Sequence, residues 1–181
     1  MTVTVFGGTG YLGRNLMAQL AKTGTQIILP YRCDPHMIRD VKVIGDLGQV
    51  LFLPFDLRDD ESLRKAMKYS DVVINLTATD FDTRNFTIEH VHIDAASRIA
   101  RISKELGVQQ LVHVSALCQN KNPPKYVRKP SRYMISKAIG EEEVLRVNAQ
   151  TPRFSDQLKY GGHMIVFCAI LLQDVSLVAC F

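Results

Sequence analysis

Residues 2–20 read TVTVFGGTGYLGRNLMAQL. Val3, Thr4, Val5 and Phe6 are β-branched or aromatic and predict a short buried strand. Gly7-Gly8-Thr9-Gly10-Tyr11-Leu12-Gly13 follows. Glycines 8, 10 and 13 satisfy G-x-G-x-x-G, and glycines 7, 10 and 13 satisfy a second spacing, G-x-x-G-x-x-G. Leu12, Leu16 and Leu20 then recur with the period of one helix face. Strand, glycine loop and helix, in that order, form the context in which this motif has physical meaning.

A strand that turns at once into a helix needs backbone angles that glycine adopts cheaply. A diphosphate approaching the main chain would be obstructed by a β-carbon at Gly10. The helix starting near Tyr11 would aim free N–H groups and its positive dipole end at such an anion, and Gly13 would let that helix pack closely on the strand. Residues Gly7, Gly8, Thr9, Gly10, Tyr11, Leu12 and Gly13 therefore form the candidate phosphate loop. About 20 positions beyond such glycines an acid selects NAD through the ribose 2′-hydroxyl. Here Arg32 follows a second predicted strand (residues 26–30), and a guanidinium suits a 2′-phosphate. Asp34 lies two residues on, and Arg14 could add positive charge. The expected cofactor is NADP(H) rather than NAD(H).

Further elements alternate in type. Residues 49–55 predict a third strand, and Asp56 with its neighbour Leu57 falls where an adenine would be met; Asp56, Asp59 or Asp60 could instead cap the helix over 61–69. Residues 71–77 form a nearly all-apolar fourth strand, as a buried parallel strand should be, with Asn75, Leu76 and Thr77 at its cofactor end. Ile88, Val91, Ala95, Ile99, Ile102 and Leu106 mark a long amphipathic helix, and residues 110–115 a fifth strand. Strands alternating with crossover helices imply an α/β, Rossmann-type doubly wound parallel sheet. The expected organisation is a dinucleotide-binding domain over 1–148. A divergent segment over 149–181 would offer a sixth strand near residues 164–172 and an apolar tail.

Ser115 ends the fifth strand, and Tyr133 and Lys137 lie four apart on one face of a helix running to about residue 147. Hydride transfer coupled to proton transfer uses such a trio: the ammonium favours the phenolate of a tyrosine that otherwise titrates near ~10, and the serine holds the substrate oxygen. The same tyrosine and lysine can instead bind ribose hydroxyls without turnover, so the trio is expected to be vestigial as catalytic machinery.

The bulk numbers exclude more than they suggest. The 181 residues make one domain. The net charge of +4 leaves a small basic cluster at Lys121, Lys125, Arg128, Lys129 and Arg132. Without interleaved aromatics, it reads as a solvated loop rather than a nucleic-acid surface. Cys33, Cys118, Cys168 and Cys180 lack metal-ligand spacing and are expected as reduced thiols. His90 and His92, with Asp94 nearby, face apart on a helix and are expected at the surface, not on a metal. The apolar run at 164–172 is too short to span a bilayer. No targeting segment precedes the first strand.

The chain resembles extended or atypical short-chain dehydrogenases/reductases. Within them it is similar to the nucleotide-binding accessory subunits of mitochondrial respiratory complex I. The resemblance is carried by TVFGGTGYLGR (4–14), PYRCD (30–34), GDLGQVLFL (45–53), DVVINL (71–76), NFTIEHV (85–91), SKELGV (103–108), LVHVSAL (111–117) and SRYMISKAIGEEEV (131–144). GDLGQ and PYRCD are more telling than the widely shared glycine loop. The resemblance implies a tightly held NADPH with Arg32 on its 2′-phosphate. It also implies partners among the other complex I subunits and a place on the matrix side, peripheral to the inner membrane. The role would be structural or in assembly, near the quinone-binding region. An NADP-dependent reductase or epimerase, or an NADP(H)-sensing regulator, is the alternative. The family's transit peptide and carboxyl-terminal substrate region are not matched. The chain thus reads as a truncated or alternatively spliced form, or an imperfect gene model, and is expected to be marginal in isolation.

Overall fold

The computed structural model describes residues 1–32, 34–116, 131–149 and 165–168. Six strands, β1 (Thr2–Phe6), β2 (Gln26–Tyr31), β3 (Val50–Pro54), β4 (Val72–Asn75), β5 (Gln110–Ser115) and β6 (Ile165–Cys168), form one sheet. Their spatial order is β3-β2-β1-β4-β5-β6, and each neighbouring pair is parallel. The helices are α1 (Tyr11–Lys22), the short α2 (Arg39–Lys42), α3 (Asp60–Met67), α4 (Ala95–Glu105) and α5 (Arg132–Ala149). This is the doubly wound Rossmann arrangement that the alternation of strands and helices predicts, and its strand order reverses between β1 and β4. Within the apolar run at 164–172, Ile165–Cys168 forms β6.

Alternation along each strand supplies two cores. Val3, Val5, Ile27, Leu29, Val72 and Ile74 pack with Met17 of α1 and Val41 of α2 on one face. Phe6, Val73, Leu63, Met67, Ile99 and Ile102 pack between the sheet, α3 and α4 on the other. Val144 of α5 joins Ala96 and Ala100, so α5 lies beside α4. Each buried Leu, Ile, Val or Met is worth roughly 1.5–3 kcal/mol against exposure, and both faces of the sheet are covered as a parallel sheet requires.

Two helices differ from their predicted faces. The stripe Leu12, Leu16 and Leu20 is only part of the buried face of α1: Gly13 and Met17 are buried, half-buried Leu16 and Leu20 pack against the same core, and Leu12 is exposed. A β-carbon at Gly13 would overlap the Gly8 main chain and come within 2.7 Å of the Gly7 carbonyl oxygen. The helix approaches the loop too closely there for any side chain. The amphipathic segment after β4 is not uniformly α-helical either. His90–Asp94 is a π-helical turn leading into α4. Val91 and His92 are both buried within it, so the expectation of a surface His92 is wrong, whereas His90 and Asp94 are exposed.

Arg132 of the expected basic cluster is solvent-exposed and ion-paired at the start of α5. Its guanidinium makes a two-pronged ion pair with Glu89 (2.6 and 2.7 Å) and a third bond to Asp82 (2.6 Å). Lys121, Lys125, Arg128 and Lys129 lie outside the described residues, as do Cys33, Cys118 and Cys180.

Candidate functional site

The carboxyl ends of the parallel strands β1 to β5 lie along one edge of the sheet, with Gly7, Arg32, Asp56, Asn75 and Ser115 at or just past those ends. After β1, Gly7 adopts φ 77°, and a β-carbon there would meet the Leu76 carbonyl group at 2.9 Å. The turns after β1 and β4 are thus in main-chain contact, reinforced by the Leu76 amide donating to the Phe6 carbonyl (2.9 Å). Gly10 differs from its neighbours. A β-carbon there would touch only the Gly7 carbonyl oxygen, at 3.3 Å, so its outer side is open. Gly10 is the N-cap of α1, no side chain caps that end, and no acid occupies the first turn. Thr9, Tyr11 and Leu12 flank the same opening, with Tyr11 and Leu12 exposed. The loop therefore has the cradle a diphosphate needs: unblocked amides at a helix amino end and no side chain over the middle glycine.

After β2, Arg32 is exposed, and its guanidinium carbon lies 5.6 Å from the Phe86 ring centre. Arg58 covers the same ring at 4.5 Å, so two cations lie against one aromatic ring. The nearby charges are otherwise engaged. Asp34 accepts the His36 amide (2.9 Å) as the cap of a 3₁₀ turn over Pro35–Ile38. Arg14 donates to the Thr9 carbonyl (3.0 Å) and pairs with Asp40 (3.5 Å). After β3, the three acids divide their roles. Asp59 caps α3 by accepting from the Glu61 and Ser62 amides. Asp60 pairs with Arg101 and Arg98, which hold its carboxyl below the usual range, the Arg101 hydrogen bond foremost. Asp56 remains exposed at the strand end, accepting the Arg58 amide at 2.9 Å, beside buried Leu57.

The β4 and β5 side is built from buried polar groups. Asn75 accepts from the Thr77 amide (3.1 Å) and hydroxyl (2.6 Å), and its own amide donates to His113 Nδ1 (3.1 Å). The His113 proton is therefore on Nε2, which has no hydrogen-bond partner among the described residues. Ser115 is buried two residues further along β5. On α5, Lys137 is buried and its ammonium donates to the Val114 carbonyl at 3.4 Å, one peptide unit from Ser115. Burial lowers the Lys137 ammonium to about 8, against an opposing pull from Asp80. Tyr133 lies one turn earlier on the same face. Its phenol is raised by burial and then by Asp80. That direction is opposite to the lowering that proton transfer near neutrality requires, so the expected effect of Lys137 on Tyr133 is not what this geometry provides.

Sequence reasoning did not single out Arg58, Phe86, His113, Ser136 or Gly140, and it placed His92 at the surface. His92 is 1% exposed, its ring set edge-on to Tyr133 at 5.1 Å, and burial lowers it to about 4. A helical glycine at 140 was the one available sign: a β-carbon there would overlap the His92 carbonyl oxygen. Among the described residues no group of three or more His, Cys, Asp or Glu is gathered to hold a metal ion, and no helix is long and apolar enough to cross a membrane.

Comparison with known proteins places this geometry. Residues 3–155 match the model of the NAD dependent epimerase/dehydratase family. The chain is 44% identical over 142 residues to NADH dehydrogenase (ubiquinone) 1 alpha subcomplex subunit 9, mitochondrial, of Dictyostelium discoideum, covering 78% of this chain and 38% of that protein. It is 44% identical over 147 residues to the protein of the same name from Mus musculus, covering 81% and 37%. The chain thus spans under two fifths of the length of these relatives. Among solved structures, MoeE5 in complex with UDP-glucuronic acid and NAD superposes with a TM-score of 0.65 at 20% identity, covering 83% of this chain and 50% of that one. That likeness is one of fold. By the match of its strand, glycine loop and five-strand frame, the chain belongs to the NAD dependent epimerase/dehydratase family.

Proposed function

We propose that this chain supplies the nucleotide-binding part of an accessory subunit of mitochondrial complex I, holding NADP(H) in a structural or assembly role. The supporting observation is the contrast within the glycine loop. Gly13 is closed off by the Gly7–Gly8 main chain and Gly7 by the Leu76–Thr77 main chain, whereas Gly10 and the uncapped start of α1 stay open to a diphosphate. Gly7 to Gly13 would hold that group. Arg32, on the Phe86 ring, would meet a 2′-phosphate, with Asp56 and Leu57 at the adenine. Asn75, Leu76, Thr77, Tyr133 and Lys137 would line the nicotinamide side. When bound, the nicotinamide supplies a hydride donor or acceptor. In the proposed role it stays in place, and Tyr133 and Lys137 hold ribose hydroxyls. The identity to the mitochondrial subunits supports complex I subunits as partners and the mitochondrion as the location; a place on the matrix face of the inner membrane is part of the proposal.

A second reading, an NADP-dependent reductase or epimerase, draws on Ser115, Tyr133 and Lys137 lying at one strand end. The raised phenol of Tyr133 counts against it. The test is mass spectrometry of nucleotide released by denaturing the protein purified from its native source, together with its co-purifying proteins. NADPH retained through purification, with complex I subunits alongside, is the expected result. Absence of nucleotide, or nucleotide that exchanges freely and turns over with added carbonyl substrates, would overturn the structural role.

A further inference from the structure

We infer that His92 is a positioning residue, tying the loop after β4 to α5 so that both hold the nicotinamide-side half of a bound dinucleotide. The inference rests on the nucleotide-binding reading above and deepens it. The ring bonds in two directions. The Ser136 hydroxyl donates to the Tyr133 carbonyl at 2.9 Å, so its oxygen is left to accept from His92 Nδ1–H at 2.8 Å. The Thr79 amide donates to His92 Nε2 at 3.2 Å. Both nitrogens are satisfied only when the imidazole is neutral with its proton on Nδ1.

The placement gives this bridge its meaning. Tyr133, Ser136, Lys137 and Gly140 share one face of α5, and that face lies against the π-helical turn. Gly140 leaves no room for a side chain above the His92 carbonyl, so the helix cannot slide on the turn without breaking these bonds. At the other end of the ring, Thr79 lies two residues past Thr77. A dinucleotide on a doubly wound sheet crosses where the strand order reverses. With its diphosphate at Gly10 and its adenosine toward Arg32 and Asp56, its other half must lie over β4 and β5. That half would rest between the Thr77–Thr79 loop and the Tyr133–Lys137 face, the two surfaces His92 joins. The adenosine half would touch neither.

The test uses two ligands on the full chain, measured by titration calorimetry: NADPH, and 2′,5′-ADP, which carries the adenosine and 2′-phosphate but no nicotinamide. Wild type is expected to bind both. His92→Phe keeps the ring volume and removes both bonds. It should weaken NADPH by about tenfold or more, as loss of one to two hydrogen bonds implies, and leave 2′,5′-ADP within about twofold. His92→Gln, which restores one donor and one acceptor, should recover most of the NADPH affinity. Should the phenylalanine variant not fold, Ser136→Ala removes one bond only and should show the same ligand-selective loss, about threefold. Equal loss for both ligands, or no loss for either, would overturn the inference while leaving the nucleotide reading standing. Wild type binding neither ligand would overturn both.

Discussion

The half of the sheet formed by β1, β2 and β3 and the half formed by β4 and β5 meet at the same carboxyl edge but are made differently. On the first, the site is main chain: the Gly7–Gly13 loop, the open start of α1, and strands whose side chains are apolar and buried, such as Val3, Val5, Ile27 and Leu29. On the second, buried polar side chains do the joining: Asn75 to His113, Lys137 to the Val114 carbonyl, and His92 to Ser136 and Thr79. A main-chain cradle needs only small residues at set spacings. A buried polar network must satisfy each member, because a lost partner inside the protein costs far more than one at the surface. The first half should therefore respond to added volume, and the second to added charge.

The largest effect expected is from volume. Gly13→Ala would drive a methyl group into the Gly8 main chain and should cost about 3 kcal/mol or more in urea unfolding, at the upper end of overpacking. Gly10→Ala meets nothing closer than 3.3 Å; its stability should stay within about 0.5 kcal/mol while affinity for NADPH falls sharply. Equal destabilisation by the two would erase the division of roles within the loop.

Charge is the next largest. Burial lowers both His92 and His113 from 6.5 to about 4, with Lys137 also lowering each, and Asp80 and Glu89 opposing at His92. A folded-state pKa below the unfolded one means that stability is complete above 6.5 and is lost as the pH falls toward 4, because the unfolded chain takes up the proton first. Going from pH 7 to 5 should cost roughly 2 kcal/mol per histidine. His92→Gln should remove its share of that slope in urea midpoints measured against pH. A flat profile would mean that the second half is wetter than its burial indicates.

Smaller effects separate the two sides of the ligand and the surface from the core. Arg32→Glu should weaken NADPH by about tenfold more than NADH, the scale of a lost charge-assisted bond; equal losses would remove Arg32 from the 2′-phosphate. Arg132→Gln breaks three ion-pair bonds to Glu89 and Asp82, yet the pair is solvent-exposed. It should lower the urea midpoint only slightly, and less in high salt, as urea midpoints at two ionic strengths would show.

Much of this architecture was legible from residues alone because it depends on local rules. Short apolar and β-branched runs mark β1, β2, β4 and β5, helical periodicity marks α3 and α4, and a glycine loop between strand and helix marks the candidate phosphate cradle. Each signal lies within a short window, where backbone sterics and side-chain alternation decide the outcome. Three features could not be read that way. Gly13 and Met17 join Leu16 and Leu20 on the buried side of α1 because the start of the helix lies against the Gly8 main chain. His92 is buried with its ring nitrogens met by Ser136 and Thr79, partners that no local signal announces. Ser136 and Gly140 acquired their roles only when α5 was laid across that turn.

The sequence by itself determined a doubly wound sheet with a glycine loop open to a diphosphate and a guanidinium after the second strand. The tertiary structure decided which buried polar groups meet behind that edge, and in which protonation state. The cause is distance along the chain: the cradle is built within a dozen residues, whereas Asn75 and His113 lie 38 residues apart, and His92 and Ser136 lie 44 apart. Only the packing of α5 on the π-helical turn and the pairing of β4 with β5 bring them within hydrogen-bond reach.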